Sequence, residues 1–134
     1  MTPGRRLMPV PTPDSEEFWR GCHEGVLRMQ RCRACGTWNW FPRGLCVNCS
    51  SGQLEWITLS GTGTVYSFSL VARPPSGAFP ASYLLALVEL AEGPRMMTHL
   101  INVDPAEVRI GMQVAVEFER HADDIALPVF APAR

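Results

Sequence analysis

The feature that most constrains this chain is a pair of C-x2-C turns, Cys32/Cys35 and Cys46/Cys49, separated by ten residues. Each turn sets two thiolates on one tight loop, and two facing turns complete a tetrahedron around a metal ion. Gly36 follows Cys35 directly and is free to take a positive φ, which lets backbone N–H groups point toward sulfur. Ser50 holds the matching place after Cys49. A left-handed serine costs on the order of 1 kcal/mol, which metal binding offsets. A cysteine segment of about thirty residues cannot bury enough surface to fold unaided, so a metal staple answers its need. Four cysteines leave no open position for water, so the expected role of the metal is structural. Zinc is the expected ion, with iron in a rubredoxin-like site as the alternative, because the same sulfur tetrahedron suits either. Four thiolates around a zinc ion carry a net charge of about -2. Arg28, Arg31, Arg33 and Arg43 lie close enough in sequence to balance it.

The 134-residue chain has five cysteines, an odd number that cannot pair completely, which favours metal ligation over disulfides. No apolar run approaches a signal peptide or a membrane span, so a cytoplasmic location is expected. The net charge is -1, which argues against a partner held mainly through phosphates. All twelve basic residues are arginine, the side chain suited to planar and bidentate contacts.

The chain reads as mainly β, in three parts. Residues 1–25 form a flexible, proline-containing lead-in followed by an N-terminal helix. Asp14 occupies the N-cap with Glu17 at capping-box spacing, and Gly25 ends the helix. Phe18 and Cys22 share one helix face, with Trp19 beside them. So short a helix is not stable alone in water and must dock on something. Residues 26–56 form the zinc ribbon, around which Trp38, Trp40, Phe41 and Trp56 crowd. Residues 57–134 carry five apolar runs: Thr64–Val71, Tyr83–Leu90, Met96–Val103, Gln113–Glu119 and Ile125–Phe130. A turn falls at Glu92-Gly93-Pro94, and one helical turn falls near Asp104–Val108. Alternation places Tyr66, Phe68 and Leu70 on one face, and Val114, Val116 and Phe118 inward. Pro128 suits the last run to an edge. Five strands with one helical turn fit a five-stranded OB-fold barrel.

No catalytic set emerges. Cys22 and His23 are adjacent on a helix and point in different directions, and neither His99 nor His121 has a nucleophile in its sequence neighbourhood. Phosphate loops, dinucleotide fingerprints and nucleophile elbows are missing. Glu16-Glu17 and Asp123-Asp124 read as solvated surface. Interaction surfaces are more evident. Tyr83–Val88 is apolar on both faces of its strand, and the Arg73–Pro80 loop is stiff and apolar. A single-stranded nucleic-acid binder, with Tyr66 and Phe68 stacking bases, is the alternative reading, opposed by the net charge. A stand-alone hydrolase or redox protein is a third.

The stretches FWRGCHEGVLRMQRCRACGTWNWFPR, CVNC, LEWITLSGTGTVYSFSLVARPP, FPASYLLALVEL and IGMQVAVEF together resemble the acyl-CoA-associated zinc-ribbon and OB-fold family, long filed as a domain of unknown function. The likeness runs from about Phe18 to Phe130; Cys22 and Ser50 depart from the usual pattern. It implies a non-catalytic accessory or scaffold subunit of a protein complex. The implied partner is a thiolase-like enzyme, an aldolase or an enoyl-CoA hydratase of lipid, steroid or polyketide metabolism, with acyl-CoA or coenzyme A as a bound ligand. By the same resemblance, Phe18 and Trp19 would dock the partner, and Arg73, Phe79 and Tyr83 would lie near coenzyme A or the partner surface.

Overall fold

The computed structural model describes residues 9–72, 82–121 and 125–133. Helix α1 spans Glu16–Glu24 and is followed by a three-stranded antiparallel sheet of β1 (Leu27–Cys32), β2 (Trp38–Asn39) and β3 (Leu54–Leu59), with β1 in the centre. Five further strands close into a barrel: β4 (Thr62–Val71), β5 (Tyr83–Leu90), β6 (Arg95–Leu100), β7 (Gln113–Arg120) and β8 (Ala126–Pro132). Their order, β4-β5-β6-β8-β7 and back to β4, is that of an OB-fold. Every pairing is antiparallel except the single parallel contact between β6 and β8 at Leu100 and Phe130. Among the described residues no helix is long and apolar enough to cross a membrane.

The helix begins one residue later than the sequence suggests. Ser15, not Asp14, is the N-cap, and its side chain makes no capping bond. Its hydroxyl instead accepts from the Thr12 amide at 2.9 Å, while Thr12 O accepts from the Ser15 and Glu16 amides. Nor does Glu17 reach back to close a capping box. It pairs with Arg20 at 2.6 Å and Arg28 at 2.8 Å, charged donors that outcompete a backbone amide. Gly25 ends the helix as expected, with φ 85°.

One apolar core runs through all parts of the chain. Phe18 and Cys22 of α1 join Leu27 and Met29 of β1, then Leu59, then Val65, Val88, Val114 and Phe130 of the barrel. Arg120 on β7 donates to His23 O at 2.8 Å and ties the helix end to the barrel. At Gly63 the chains approach so closely that a Cβ would sit 2.5 Å from Glu89 O. Only glycine lets β4 lie this close against β5.

Several strand expectations need correcting. The sixth strand ends at Leu100 rather than Val103, and a 3-10 turn at Pro105–Glu107 follows, capped by Asp104 Oδ1 accepting from the Ala106 amide at 2.9 Å. Val114 is buried, whereas Val116 and Phe118 are half-buried. Strand β8 pairs with β7 along its length and is not a sheet edge. It tolerates Pro128 because β6 and β8 meet at one register position only, and the gap beyond is bridged by Thr98 Oγ1 donating to Pro128 O at 3.1 Å. A bulge between Val65 and Ser67 breaks the alternation of β4. Phe68 and Leu70 register with the buried Ala86 and Leu84, whereas Tyr66 falls out of register and lies beneath the Arg95 guanidinium, 3.8 Å from its ring centroid.

Candidate metal centre and interaction surface

The two cysteine turns are built alike. In the first, the Cys32 amide donates to Thr37 O at 2.9 Å and the Gly36 amide donates to Cys32 O at 2.8 Å. In the second, the Cys46 amide donates to Ser51 O at 2.8 Å and the Ser50 amide to Cys46 O at 2.9 Å. Gly36 and Ser50 both take left-handed backbones, with φ 80° and 64°. Serine therefore accepts the conformation that its position after Cys49 demands.

Strand β1 delivers Cys32 to the end of the sheet, and the second turn folds back so that the four sulfurs converge within 4.8 Å of one another. Cys32 and Cys49 Sγ are 3.6 Å apart, and Cys35 and Cys46 Sγ 3.7 Å. A disulfide would require about 2.05 Å. A tetrahedron with metal–sulfur bonds of about 2.3 Å has sulfur–sulfur edges of about 3.8 Å, so the spacing fits a metal.

Polar side chains hold this arrangement. Asn39, buried on β2, donates from Nδ2 to Thr37 O at 3.2 Å and to Cys46 Sγ at 3.5 Å, and its Oδ1 accepts from the Val47 amide at 2.8 Å. One side chain thus locks β2 to both turns. Asn48 crosses from the second turn to the first, donating from Nδ2 to Cys35 Sγ at 3.6 Å. Gln30, buried on β1, pins the intervening loop by a two-way pair with the Arg43 backbone, both bonds 2.9 Å. Neither Asn39 nor Gln30 stands out in the sequence. The only trace is a lone amide inside the aromatic run Trp38–Phe41.

Hydrogen bonds from Thr37 and Asn48 lower the Cys35 thiol to about 5. Asn39, with the Cys49 amide, lowers Cys46. At Cys49 the Ser51 amide favours the thiolate, but the neighbouring thiols and burial outweigh it and push the thiol up to about 12. Several thiolates cannot crowd together uncompensated. Metal binding must therefore release protons. The Cys35 thiolate lies below its ordinary value of 9, so its contribution is present above that value and is lost as the pH falls through about 5. Acidification is expected to release the metal, because protons compete with it for the sulfurs. A colorimetric chelator followed across pH checks this.

The arginines do less here than their spacing suggests. Arg31 stays beside the first turn, donating from Nε to Gly36 O at 3.1 Å and lying over Trp38. Arg28 is turned away, held by Glu17 and Glu24 on α1. Arg33 faces Glu55 at 3.9 Å on the surface.

Of the surface residues singled out above, Phe18 is only 1% exposed. Its ring packs against Trp19 and Trp40, with centroids 4.9 and 4.8 Å away, and Phe41 stacks edgewise on Trp40. Phe18 is the floor of an apolar groove of about 200 Å³ whose rim includes Trp19, Trp40, Phe41, Met97 and Leu127. Tyr83 is half-buried and stacks on His99 at 4.5 Å. Arg73 and Phe79, like Asp123 and Asp124, lie outside the described residues. The Cys22 thiol beside His23 is fully buried, and burial pushes it up to about 12, so it is no nucleophile near neutrality.

Comparison with known proteins agrees with both halves of this structure. Residues 19–55 match the family described as the ChsH2 rubredoxin-like zinc ribbon domain, and residues 56–119 match the ChsH2 C-terminal OB-fold domain. A probable enoyl-CoA hydratase alpha subunit of Thermomonospora curvata is 36% identical over 96% of this chain, which spans 40% of that protein's length. A DUF35 domain-containing scaffold protein of Methanocaldococcus jannaschii is 38% identical over 78% of this chain and 73% of its own. Among solved structures, a chain of an Ltp2-ChsH2(DUF35) aldolase superposes with a TM-score of 0.84 at 36% identity, covering 94% of this chain and 99% of that one.

Proposed function

The chain belongs to the ChsH2 zinc-ribbon and OB-fold family, and on that premise we propose that it is a non-catalytic scaffold subunit of an acyl-CoA enzyme. It docks a thiolase-like enzyme, an aldolase or a hydratase, and helps hold acyl-CoA for chemistry done on the partner. Its likeness along nearly its whole length to a chain of an aldolase assembly carries this reading. The hydratase subunit supports the same class of partner.

Cys32, Cys35, Cys46 and Cys49 hold a structural zinc ion, which when bound offsets part of the thiolate charge and staples the two turns. The protein's own contribution is positional. Asn39 and Asn48 orient the sulfurs, and the ribbon in turn holds Trp40 against Phe18 on α1. The groove at this junction is the partner-docking surface, with Trp19 and Phe41 as its accessible aromatic rim. Aromatic anchors around an apolar pocket are what protein interfaces concentrate their binding in. By the family likeness Arg73, Phe79 and Tyr83 are assigned to the coenzyme A or partner surface, where an arginine would pair with a phosphate.

A tagged chain expressed in its native host is expected to retain an acyl-CoA enzyme through mild purification. Trp19→Ala, which trims the rim, should weaken that capture at least about tenfold while leaving metal content unchanged. Purification with no such companion would count against the reading.

A further inference from the structure

Among the described residues, the outer half of β4 is paired on one side only. On one side the strand pairs with β5 from Gly63 to Val71. On the other, β7 covers only Thr62–Thr64, and the last backbone bonds on that side join Val65 to Gly111 and Met112. Beyond that point no described residue pairs with the second edge of β4, and Tyr66, Ser67, Phe68, Ser69 and Leu70 are all exposed. Both sides of the pleat are therefore accessible to solvent along this stretch, where a strand within a sheet would hide one. Tyr66, Phe68 and Leu70 are 45%, 38% and 49% exposed.

Proteins guard such edges with charges, proline or a bulge, because the unpaired N–H and C=O groups invite another strand. Thr62–Ala72 contains no charged residue and no proline. Its one bulge lies before Ser67, so the register from Ser67 to Val71 is regular and able to pair.

We propose that this edge pairs antiparallel with the same edge of a second copy of the chain, about a two-fold axis at Ser69. The sequence suits that symmetry. With Ser69 facing itself, Phe68 of each copy falls opposite Leu70 of the other, twice over, and Ser67 falls opposite Val71. Phe68 and Leu70 lie on the face that carries the buried Ala86 and Leu84, so the pairing prolongs the core of each barrel into its neighbour. The segment is neutral and meets no repulsion from its own copy. A two-fold interface needs just such a self-complementary patch, and directly opposed apolar side chains are the unit that stabilises paired strands.

The metal-loaded full chain, studied by light scattering over a wide concentration range, is expected to show the mass of two chains. Ser69→Arg places like charges against each other on the axis, at a side chain already exposed. It should raise the dimer dissociation constant by more than about tenfold, with unchanged circular dichroism and metal content. Phe68→Arg should do the same, and Ser69→Ala should leave the dimer intact. A wild-type chain that stays single at every concentration overturns the proposal, as does a dimer indifferent to both charged variants. The proposal stands apart from the scaffold reading. If the free chain is monomeric and Ser69→Arg abolishes partner capture, the edge belongs to the partner's strand and the second-copy assignment fails.

Discussion

Cys46→Ser is expected to yield a chain that retains no metal and loses the ribbon sheet. Cys46 is 3% exposed and receives hydrogen bonds from Asn39 Nδ2 and the Asn48 amide. A serine there supplies a shorter, less acidic oxygen that cannot complete a sulfur tetrahedron. Zinc binding in such small domains supplies about 10–16 kcal/mol, while whole domains are stable by only about 5–15 kcal/mol. Loss of the site therefore exceeds what the short sheet of β1, β2 and β3 can offset. Because Leu27 and Met29 share the core with Val65 and Phe130, the damage extends to the barrel. Metal analysis and amide dispersion by NMR check this: metal content should fall close to zero, with collapse of the Leu27–Leu59 signals. A variant that melts like the wild type would show that the sulfurs do not hold the fold.

Phe18→Ala should cost about 3–5 kcal/mol, the range for emptying a fully buried aromatic site. The ring sits where α1, the ribbon and the barrel meet, against Trp19 and Trp40, and cannot be replaced by a small collapse of one neighbour. For a chain of this size the midpoint of thermal unfolding should fall by about 10 °C or more. The same substitution removes the floor of the aromatic groove, so partner capture should weaken together with stability. Trp19→Ala separates the two effects, because Trp19 forms the rim and is only partly buried. A Phe18→Ala chain that unfolds at the wild-type temperature would mean that the helix does not depend on this contact.

The architecture was legible wherever one short-range rule dominates. The double C-x2-C spacing named the ligands, and the structure brings their sulfurs to metal-binding distance. Strand periodicity gave five barrel strands, and Gly25 marked the helix end. What the sequence hid depends on partners distant along the chain. Asp14 looks like a cap, but Thr12 and Ser15 close their own turn first, and Glu17 is drawn to Arg28, eleven positions away. Arg28 looks like a counter-charge for the thiolates until α1 folds over it. The bulge at Tyr66 leaves only a faint local trace, the adjacent apolar pair Val65-Tyr66, beyond which Tyr66, Phe68 and Leu70 alternate regularly with serines. Asn39 and Gln30 were invisible as organisers of the metal loop, since a buried amide declares its role only through the atoms it reaches.

Turnover by the isolated protein tests the central claim most directly. The purified, metal-loaded chain is mixed with acyl-CoA thioesters, alone and together with whatever enzyme it captures from its host. The account predicts no conversion by the chain alone and conversion once the captured enzyme is restored. Steady turnover by the chain alone, abolished by substituting one of its own side chains, would contradict it.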